Sequence, residues 1–342
     1  MSNLLVRSKQ IIQDEGLVEF AKSAVTYSKR KSFQIFGSLI LSLPRSEGMF
    51  YSAIQDGKNP IISALDIDDY PNPQFVADPF LLRDDSRWHL FFEIKGPGTP
   101  GAIGHAVSAD FGSSWEYNQL ILKEDVHLSF PYVFEDSGRF YLLPEVGGTS
   151  GREIVLYEST DFPRGWDQVG VLLETNNTIG DPVLFKSGEY WWLIYGHQDT
   201  DTMAYFNEEL ATDGWEPHEN NPIRAHQDGI TRPGGRPLKV NGQLYLFLQD
   251  CREAYGHYLR AFRVDELTPS KYADTEVPLN SFLNPQSGLL NWRGGRMHHI
   301  DCQNINGKYI CITDGDTDLK SLFGSRWSIG MFEFDDLIID EI

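Results

Sequence analysis

Acidic side chains stand at the ends of repeated hydrophobic segments. Asp78 and Asp181 each precede a proline near the start of such a segment, and Glu145 ends another. Carboxylates crowded in a partly desolvated pocket push one another's pKa values apart, which leaves some protonated and others ionised. Cleavage of a glycosidic bond requires such a pair. We therefore take Asp78 as a candidate base or nucleophile, Asp181 as an orienting carboxylate and Glu145 as a provisional acid. Against this, Asp-Pro is a common turn pair with a purely structural use.

Two glycine-rich loops concentrate arginine in a chain that has few cations. TRPGGRP spans 231–237, and WRGGRMHH spans 292–299. Arginine beside carboxylates can bind an acidic sugar, a sugar phosphate or a nucleotide diphosphate through bidentate contacts, or it can neutralise the carboxylates. Both roles stay open at this point. The candidate substrate-binding residues are Glu93, His127, Ser129, Arg232, Arg236, Asp250, Trp292, Arg293, Arg296 and Asp301.

Adjacent histidines, His298 and His299, precede the last repeated segment. Neighbouring side chains on a strand point to opposite faces, so only one of the two can face a central channel. That histidine could bind a channel cation such as calcium. A zinc enzyme is not expected, because no second cluster supplies the remaining ligands at a recognisable spacing. No cofactor is required by this interpretation.

These residues must be positioned by an internal repeat. Five copies of a short strand, a turn and an aromatic strand have equivalent positions 52, 50, 54 and 65 residues apart. A period near fifty with several strands per unit is typical of the blades of a propeller. The sequence therefore predicts an all-β, five-bladed β-propeller over 49–342, in which strand starts from distant parts of the chain converge at one channel mouth. The equivalent positions are Trp88, Phe140, Tyr190, Leu244 and Tyr309.

Further strands complete each predicted blade. A third strand follows each of the first four hairpins, and three of these strands are followed by a turn and a tryptophan that introduces an outer strand. These tryptophans recur at blade positions, which favours a core role over sugar stacking. Trp292 differs because it lies in a polar loop and could face a ligand. We also expect 61–67 to pair with the last blade and close the ring.

Residues 1–48 form a separate N-terminal extension in this interpretation. Apolar residues recur every three to four positions in the first thirty residues, which predicts a short amphipathic α-helical extension. It could pack on the propeller, or dock on a membrane surface or a glycosyltransferase. The run FGSLILSL is too short to cross a bilayer, and no signal peptide is recognisable. We expect a cytoplasmic protein, with peripheral contact at the cytoplasmic face of a membrane as a further expectation.

Charge and cysteine content restrict the protein class. The formal net charge of −20 repels a phosphate backbone, so no nucleic-acid partner is expected. The same acidity is compatible with simple solubility or with a salt-rich cytoplasm. The three cysteines show no paired framework and no metal-ligand spacing, which disfavours a disulfide-stapled secreted protein.

A set of motifs resembles one known family: FVADPFLL at 75–82, HLSFPYVF at 127–134, YLLPE at 141–145, DFPRGW at 161–166 and GRMHHID at 295–301. The set is similar to the five-bladed propeller at the N-terminus of glucosamine inositolphosphorylceramide transferases. More distantly it is similar to five-bladed glycoside hydrolases of the family 43 and family 32 type. The resemblance implies a carbohydrate-active protein, with a haloarchaeal N-glycosylation pathway as one context.

The hydrolase resemblance assigns roles to individual positions. It implies a general base at Asp78 and a pKa-tuning carboxylate at Asp181, and it lends His298 or His299 a cation-binding role. The expected fourth-blade Glu is absent, since Gly235 and Arg236 stand there.

Without that residue, an acid must come from Glu145, Glu93 or Asp250, in that order. We expect hydrolysis or transfer of a sugar unit during assembly of a surface or N-linked glycan, acting on a glycan, a lipid-linked oligosaccharide or a sugar phosphate. The alternative is a non-catalytic glycan-binding scaffold that supports a membrane glycosyltransferase. A protein-interaction propeller with no carbohydrate role is a third interpretation.

Overall fold

The computed structural model describes residues 46–339 apart from 85, 149–150, 198–199, 226–228, 287, 289–290 and 319–323. Five antiparallel sheets of three or four strands follow one another along the chain and contact their neighbours around a ring. The predicted all-β, five-bladed β-propeller is confirmed. Most of the predicted extension, residues 1–45, lies outside the described residues. Within the described part, no helix is long and apolar enough to cross a membrane.

The blades are consecutive and are numbered here in chain order, with the innermost strand first. They comprise β1 Phe75–Arg83, β2 Trp88–Lys95, β3 Ala102–Ser108 and β4 Glu116–Leu122; β5 Leu128–Asp136, β6 Arg139–Val146, β7 Glu153–Asp161 and β8 Arg164–Glu174; β9 Ile179–Ser187, β10 Tyr190–His197, β11 Asp201–Asn207 and β12 Glu216–Pro217; β13 Leu238–Val240, β14 Gln243–Asp250, β15 Tyr258–Thr268 and β16 Lys271–Val277; and β17 Ile300–Ile305, β18 Lys308–Gly315 and β19 Ser328–Phe334. Helix α1, Ser46–Ile54, precedes them, and short 3₁₀ helices span Ala64–Asp66 and Ser281–Leu283.

The inner strands are buried on both faces, which explains their nearly continuous apolar sequence. Each of the first three carries a β-bulge close to the channel mouth. The bulge residues Asp78, Phe130 and Asp181 have φ values of 53°, 47° and 51°, in the left-handed region that non-glycine residues rarely adopt. A bulge re-aims a side chain and twists the strand, so the same local distortion directs residues from three blades toward one opening.

The ring closes through a short contact between the N-terminal segment and blade 5. Ile61 and Ile62 donate backbone hydrogen bonds to the Ile329 carbonyl, and the Ile329 N–H returns one to Ile62. The predicted pairing therefore occurs, but as a single bridge. Ser63 caps a 3₁₀ helix directly afterwards, which ends the extended conformation.

Two predictions about individual residues are wrong. Trp292 does not face a ligand: it is 0% exposed and packs in a cluster with residues of α1, stacked on Phe332. The cysteines are not all unpaired, because Cys302 and Cys311 are directly opposite on β17 and β18 and are joined by a disulfide. Cross-strand partners lie close enough for such a bond even when the sequence shows no paired framework.

Candidate functional site

One mouth of the channel opens into a cleft of about 430 Å³. That volume lies within the range typical of small-molecule sites. The inner and second strands of blades 1 and 2 supply most of its wall, and loops after β6 and β14 and before β13, β17 and β19 supply the remainder. The lining residues include Ala77, Asp78, Glu93, Lys95, His127, Ser129, Glu145, Gly147, Gly148, Arg232, Tyr255, His298 and Trp327.

Asp78 occupies the centre of the electrostatic network in this cleft. Its Oδ2 accepts a hydrogen bond of 3.3 Å from the Phe130 N–H of the neighbouring bulge. Its own N–H donates to Asp314 across the ring. Burial is the main cause that raises the pKa of Asp78 to about 7; the nearby carboxylates of Asp314 and Asp181 contribute to the rise, while His298 opposes it. The group therefore exchanges a proton near neutral pH.

Arg232 joins two buried carboxylates at the blade 2 side. Its Nε donates to Asp181 Oδ2 at 2.6 Å, and its Nη2 donates to Glu145 Oε2 at 2.7 Å. Glu145 Oε2 also accepts from the Asp181 N–H at 2.8 Å. Burial raises the pKa of Glu145 to about 8, although Arg232 lowers it. Asp181 and Glu145 are thus brought together as predicted, but both are held by an arginine.

Glu93 differs from Glu145 in having a free oxygen. Burial raises the pKa of Glu93 well above its usual value, and the charge of Asp78 adds to the effect. Among the described residues, its Oε1 has no hydrogen-bond partner, and the closest cationic or imidazole group is His127 Nε2 at 3.5 Å. A protonated carboxyl in this position can donate to a ligand that enters the cleft.

His127 is fixed in one tautomer by its surroundings. Its Nδ1 accepts a hydrogen bond of 2.8 Å from the Gly101 N–H and lies 3.1 Å from Lys95 Nζ. The ring proton therefore resides on Nε2, which faces Glu93. Burial lowers the pKa of His127 to about 4, so the imidazole is neutral when Glu93 is protonated.

His298 lies deeper, against two carboxylates. Its Nδ1 is 2.6 Å from Asp314 Oδ2 and 4.0 Å from Asp78 Oδ1. Burial alone would lower the pKa of His298, but Asp314 and Asp78 outweigh it and raise that pKa. One oxygen or nitrogen atom from each of the three residues lies within 4.8 Å of the others. The neighbouring His299 points between Phe80 and Phe130 instead, and burial lowers its pKa to about 4.

A second polar layer lies below the mouth. Arg236 Nε donates to Asp301 Oδ1 at 2.8 Å, and its Nη2 donates to the Val133 carbonyl, four residues along β5 from Ser129. The rings of Phe80 and Tyr132 flank the guanidinium. Arg236 and Asp301 therefore cross-link the blades inside the channel, away from the lining of the cleft.

The remaining predicted residues do not line the cleft. Asp250 is held by Arg252 and Arg260, each at 2.7 Å; partial burial opposes them, but these hydrogen bonds lower its pKa well below the usual range. An ionised Asp250 cannot serve as an acid. Arg296 pairs with Asp316 behind the mouth, while Arg293 donates to the Phe282 carbonyl.

Sequence reasoning missed three residues around the mouth: Lys95, Tyr255 and Trp327. Lys95 lies at the end of a second strand, where strand alternation does reveal position. Tyr255 lies in the loop after β14, with its ring 5.7 Å from the Arg232 guanidinium carbon. Trp327 stacks on His298 at 4.2 Å. No periodic signal marks these two aromatic residues, since loop conformation places them.

Replacing Arg232 by Met is expected to destabilise the protein by about 3 kcal/mol at pH 9, because two buried carboxylates lose their partner. The pKa of Glu145 would rise above its wild-type folded value of about 8, so the two proteins differ in Glu145 protonation only above that pH, and the penalty grows as pH rises through about 8. Urea unfolding at pH 6 and pH 9 measures it. In Arg139→Met, which breaks a surface pair with Glu158, the change should stay below about 1 kcal/mol. Equal losses at pH 6 and pH 9 for Arg232→Met would contradict this account.

Comparison with known families gives one consistent result. The model of the family described as glucosamine inositolphosphorylceramide transferase 1, N-terminal, matches residues 51–316. Glucosamine inositolphosphorylceramide transferase 1 of Arabidopsis thaliana is 34% identical over 269 residues, which cover 75% of this chain and 34% of that protein. The protein of the same name from Oryza sativa subsp. japonica is 34% identical over 271 residues. The chain spans about a third of the length of the curated relatives it matches.

Solved structures share the fold at low sequence identity. The catalytic domain of a Coprinopsis cinerea GH62 alpha-L-arabinofuranosidase matches with a TM-score of 0.60 and 12% identity, over 81% of this chain and 95% of that chain. An exo-1,5-alpha-L-arabinanase from a bovine ruminal metagenomic library matches with a TM-score of 0.52 and 16% identity, over 80% of this chain and 99% of that chain. Both solved structures are similar to this chain in fold.

Proposed function

We propose that this chain, which belongs to the family of glucosamine inositolphosphorylceramide transferase 1 N-terminal domains, processes or transfers a sugar unit in its channel mouth during assembly of a surface or N-linked glycan. The names of its relatives concern glycan chemistry, which supports a glycan ligand. The observation that carries the proposal is the convergence of Asp78, Glu93 and Glu145 from two blades in one cleft, all three with raised pKa values.

Glu93 is the acid in this proposal, in place of the provisional Glu145. Glu93 holds a proton and has an oxygen with no protein partner, whereas Glu145 is engaged by Arg232. Glu93 donates its proton to the leaving oxygen as the glycosidic C–O bond breaks. Ionised Asp78 takes the proton of the attacking water or acceptor hydroxyl, and solvent exchange restores both groups. Asp181 orients Arg232.

The cleft also suits a negatively charged substituent. Lys95 and Arg232 are cationic at its wall, while burial raises the pKa of Glu93 well above its usual value and that of Glu145 to about 8, which favours the neutral carboxyl forms. Neutral carboxyl groups donate hydrogen bonds to sugar or phosphate oxygens without repelling them. We therefore favour an acidic sugar or a sugar phosphate, on a free glycan or a lipid-linked oligosaccharide.

The affinity for an anionic sugar should rise about tenfold between pH 8.5 and pH 6, because protonation of Asp78 and Glu145, whose pKa values are about 7 and about 8, removes negative charge from the cleft. Calorimetric titration with glucose 1-phosphate and glucuronic acid measures this, with uncharged glucose as the control. An affinity that rises with pH, or a preference for the cationic sugar glucosamine, would rule out the anionic ligand.

A channel cation would have to bind at Asp78, His298 and Asp314. Calcium prefers six to eight oxygen ligands. This cluster supplies two carboxylates and one imidazole, and the His298 Nδ1 to Asp314 Oδ2 contact of 2.6 Å is that of an ion pair. The donor set does not fit calcium, and the proposed reaction contains no step through a metal.

The function can be tested in cells. The lipid-linked glycans of a deletion strain, compared with wild type by mass spectrometry, should show one sugar unit missing or one intermediate accumulated. Wild-type protein should restore the pattern, and Asp78→Asn should not. An unchanged glycan profile in the deletion strain would contradict a role in glycan assembly.

A non-catalytic scaffold is the second candidate, and one observation favours it. Arg232 neutralises Asp181 and Glu145, while the fourth blade offers Gly235 where hydrolases of this type would carry an acid. A binding module predicts that Asp78→Asn keeps its ligand affinity and that restoration in the deletion strain is complete. Complementation with Asp78→Asn therefore distinguishes the two candidates: the variant fails to restore the glycan pattern if the protein is an enzyme, and restores it if the protein is a scaffold.

A further inference from the structure

The wall of the cleft includes an aromatic side chain that is open to solvent. Tyr255 lies in the loop that joins β14 to β15 and is 49% exposed. Within the described part of the chain, no other large apolar side chain that is exposed to this degree lines the cleft. Exposed apolar residues scattered singly over a surface need no explanation, but one at the wall of a ligand-sized cleft offers a ligand a contact surface.

The backbone around Tyr255 is held in place while its ring stays uncovered. The Tyr255 carbonyl accepts a hydrogen bond of 3.0 Å from Arg296 Nη1. The next residue, Gly256, donates its N–H to Cys251 Sγ at 3.3 Å. Gly256 has φ +64°, and a Cβ there would clash with the ring of His298. The loop is thus fastened closely to the mouth, so ordering it costs little when a ligand binds.

Neighbouring rings set the orientation of the Tyr255 ring. It meets the His298 ring edge to face, with centroids 5.4 Å apart and an angle of 84° between the planes. His298 is stacked in turn on Trp327. The guanidinium carbon of Arg232 lies 5.7 Å from the Tyr255 centroid. A ligand beside Tyr255 would therefore lie close to the arginine that joins the blade 2 carboxylates, within the same cleft as the proposed reacting groups.

The remainder of the cleft wall is mainly polar, with Asp78, Glu93, Lys95 and Ser129 among its residues. Such side chains bind hydroxyl groups, which both donate and accept hydrogen bonds. An aromatic ring has a negative face and attracts the slightly positive hydrogens of C–H bonds instead. A pyranose with equatorial hydroxyl groups matches both surfaces, because its hydroxyls project from the rim and its C–H bonds cover a face. A free phosphate ion has no such face, and a nucleobase has no such rim.

We propose that Tyr255 is the platform on which a pyranose ring lies in the channel mouth, with a C–H face of the sugar against the aromatic ring and the hydroxyl groups toward the polar wall. The platform serves the proposed function, on which its assignment rests, and it determines which sugars fit. A sugar with an axial hydroxyl on the stacked face would place a polar group against the ring and lose the contact. Tyr255 transfers no proton in this assignment.

Calorimetric titration at pH 6 with glucose 1-phosphate tests the platform. Tyr255→Ala is expected to lower the affinity about tenfold, whereas Tyr255→Phe keeps the ring and should stay within about twofold of wild type. Inorganic phosphate has no sugar ring and should bind equally to all three proteins. Tyr258→Ala is the matched control, because Tyr258 is 37% exposed and lies three residues further along but does not line the cleft. It should bind glucose 1-phosphate like wild type.

A second measurement uses the wild-type protein alone, so it does not depend on the stability of a variant. In nuclear magnetic resonance spectra, the C–H protons on one face of bound glucose 1-phosphate should shift upfield because of the aromatic ring current. The absence of such a shift in the bound sugar would overturn the proposal.

Three titration results would also overturn it. One is equal affinity of Tyr255→Ala and wild type for glucose 1-phosphate, which rejects the platform and leaves an anionic sugar site in place. Another is an equally large loss in Tyr255→Phe, which assigns the contact to the hydroxyl group. The third is a loss in Tyr255→Ala for uridine 5′-monophosphate but not for glucose 1-phosphate, which identifies a nucleobase. If wild type binds no sugar at all, the anionic ligand of the proposed function fails together with the platform.

Discussion

Glu93→Gln is expected to lower turnover about a thousandfold while the protein stays folded. Glutamine has nearly the same shape as a protonated glutamic acid but has no acidic proton to donate, and general acids contribute effects of this size. Because burial raises the pKa of Glu93 and so favours its neutral form, the amide introduces no new charge or desolvation penalty. Sugar release from substrates of the glycan pathway, followed by mass spectrometry, gives the rate.

The leaving group provides a sharper version of this experiment. A leaving group of low pKa departs without protonation, so Glu93→Gln should keep near wild-type rates on a nitrophenyl glycoside and lose its rate on an alkyl glycoside. Asp78→Asn should lose both. If Glu145→Gln shows this selective loss and Glu93→Gln does not, the acid is Glu145. Glu189→Gln, at an exposed hairpin turn, is the control for the substitution itself.

The pH profile of turnover should follow the same groups. The proposed reaction requires Asp78 ionised and Glu93 protonated, so the rate is expected to rise as pH passes the value of about 7 for Asp78 and to fall at higher pH as Glu93 loses its proton. On a substrate whose leaving group departs without protonation, the rate of the Glu93→Gln variant should no longer fall at alkaline pH. This loss distinguishes a proton donor from a residue that merely packs.

The repeat was sufficient to predict the propeller, because five copies of one strand pattern leave few other ways to bury their faces. It also placed Asp78 and Asp181 at one opening, since equivalent strand starts share a mouth. Bulges at these positions could not be predicted, because a left-handed aspartate leaves no mark in the sequence. Glu93 is preferred over Glu145 as the acid because Arg232, from the loop before blade 4, contacts Glu145. The spacing of residues in the sequence does not reveal this contact.

Loop residues were the least predictable part of the site. The polar loop around Trp292 predicts that its side chain faces a ligand, whereas in the structure α1 covers it. Trp327 lies in the loop before β19 and lines the mouth, although no motif of the sequence marks it. Strand position predicts that Arg236 and Asp250 lie at the mouth. In the structure, Arg236 pairs with Asp301 inside the channel, and Asp250 is held by Arg252 and Arg260.

Gly235→Ala is expected to destabilise the protein by more than about 4 kcal/mol, and so to abolish folding in a marginally stable chain. Gly235 has φ +133°, a conformation essentially confined to glycine. A Cβ there would lie far inside van der Waals contact with the Ile300 carbonyl oxygen. That carbonyl is fixed, because Gly235 and Ile300 form a parallel bridge between blades 4 and 5.

The same geometry decides whether the missing fourth-blade acid could be restored. Gly235→Glu should fail as Gly235→Ala does, because both variants place a Cβ against the Ile300 backbone. Gly242→Ala is the matched control: its φ is +83° but its Cβ would meet open space, so only the left-handed strain of about 1 kcal/mol applies. Thermal unfolding of the three variants separates clash from strain. A Gly235→Glu protein as stable as Gly242→Ala would contradict this account, because it would show that the Ile300 backbone tolerates a Cβ at this position.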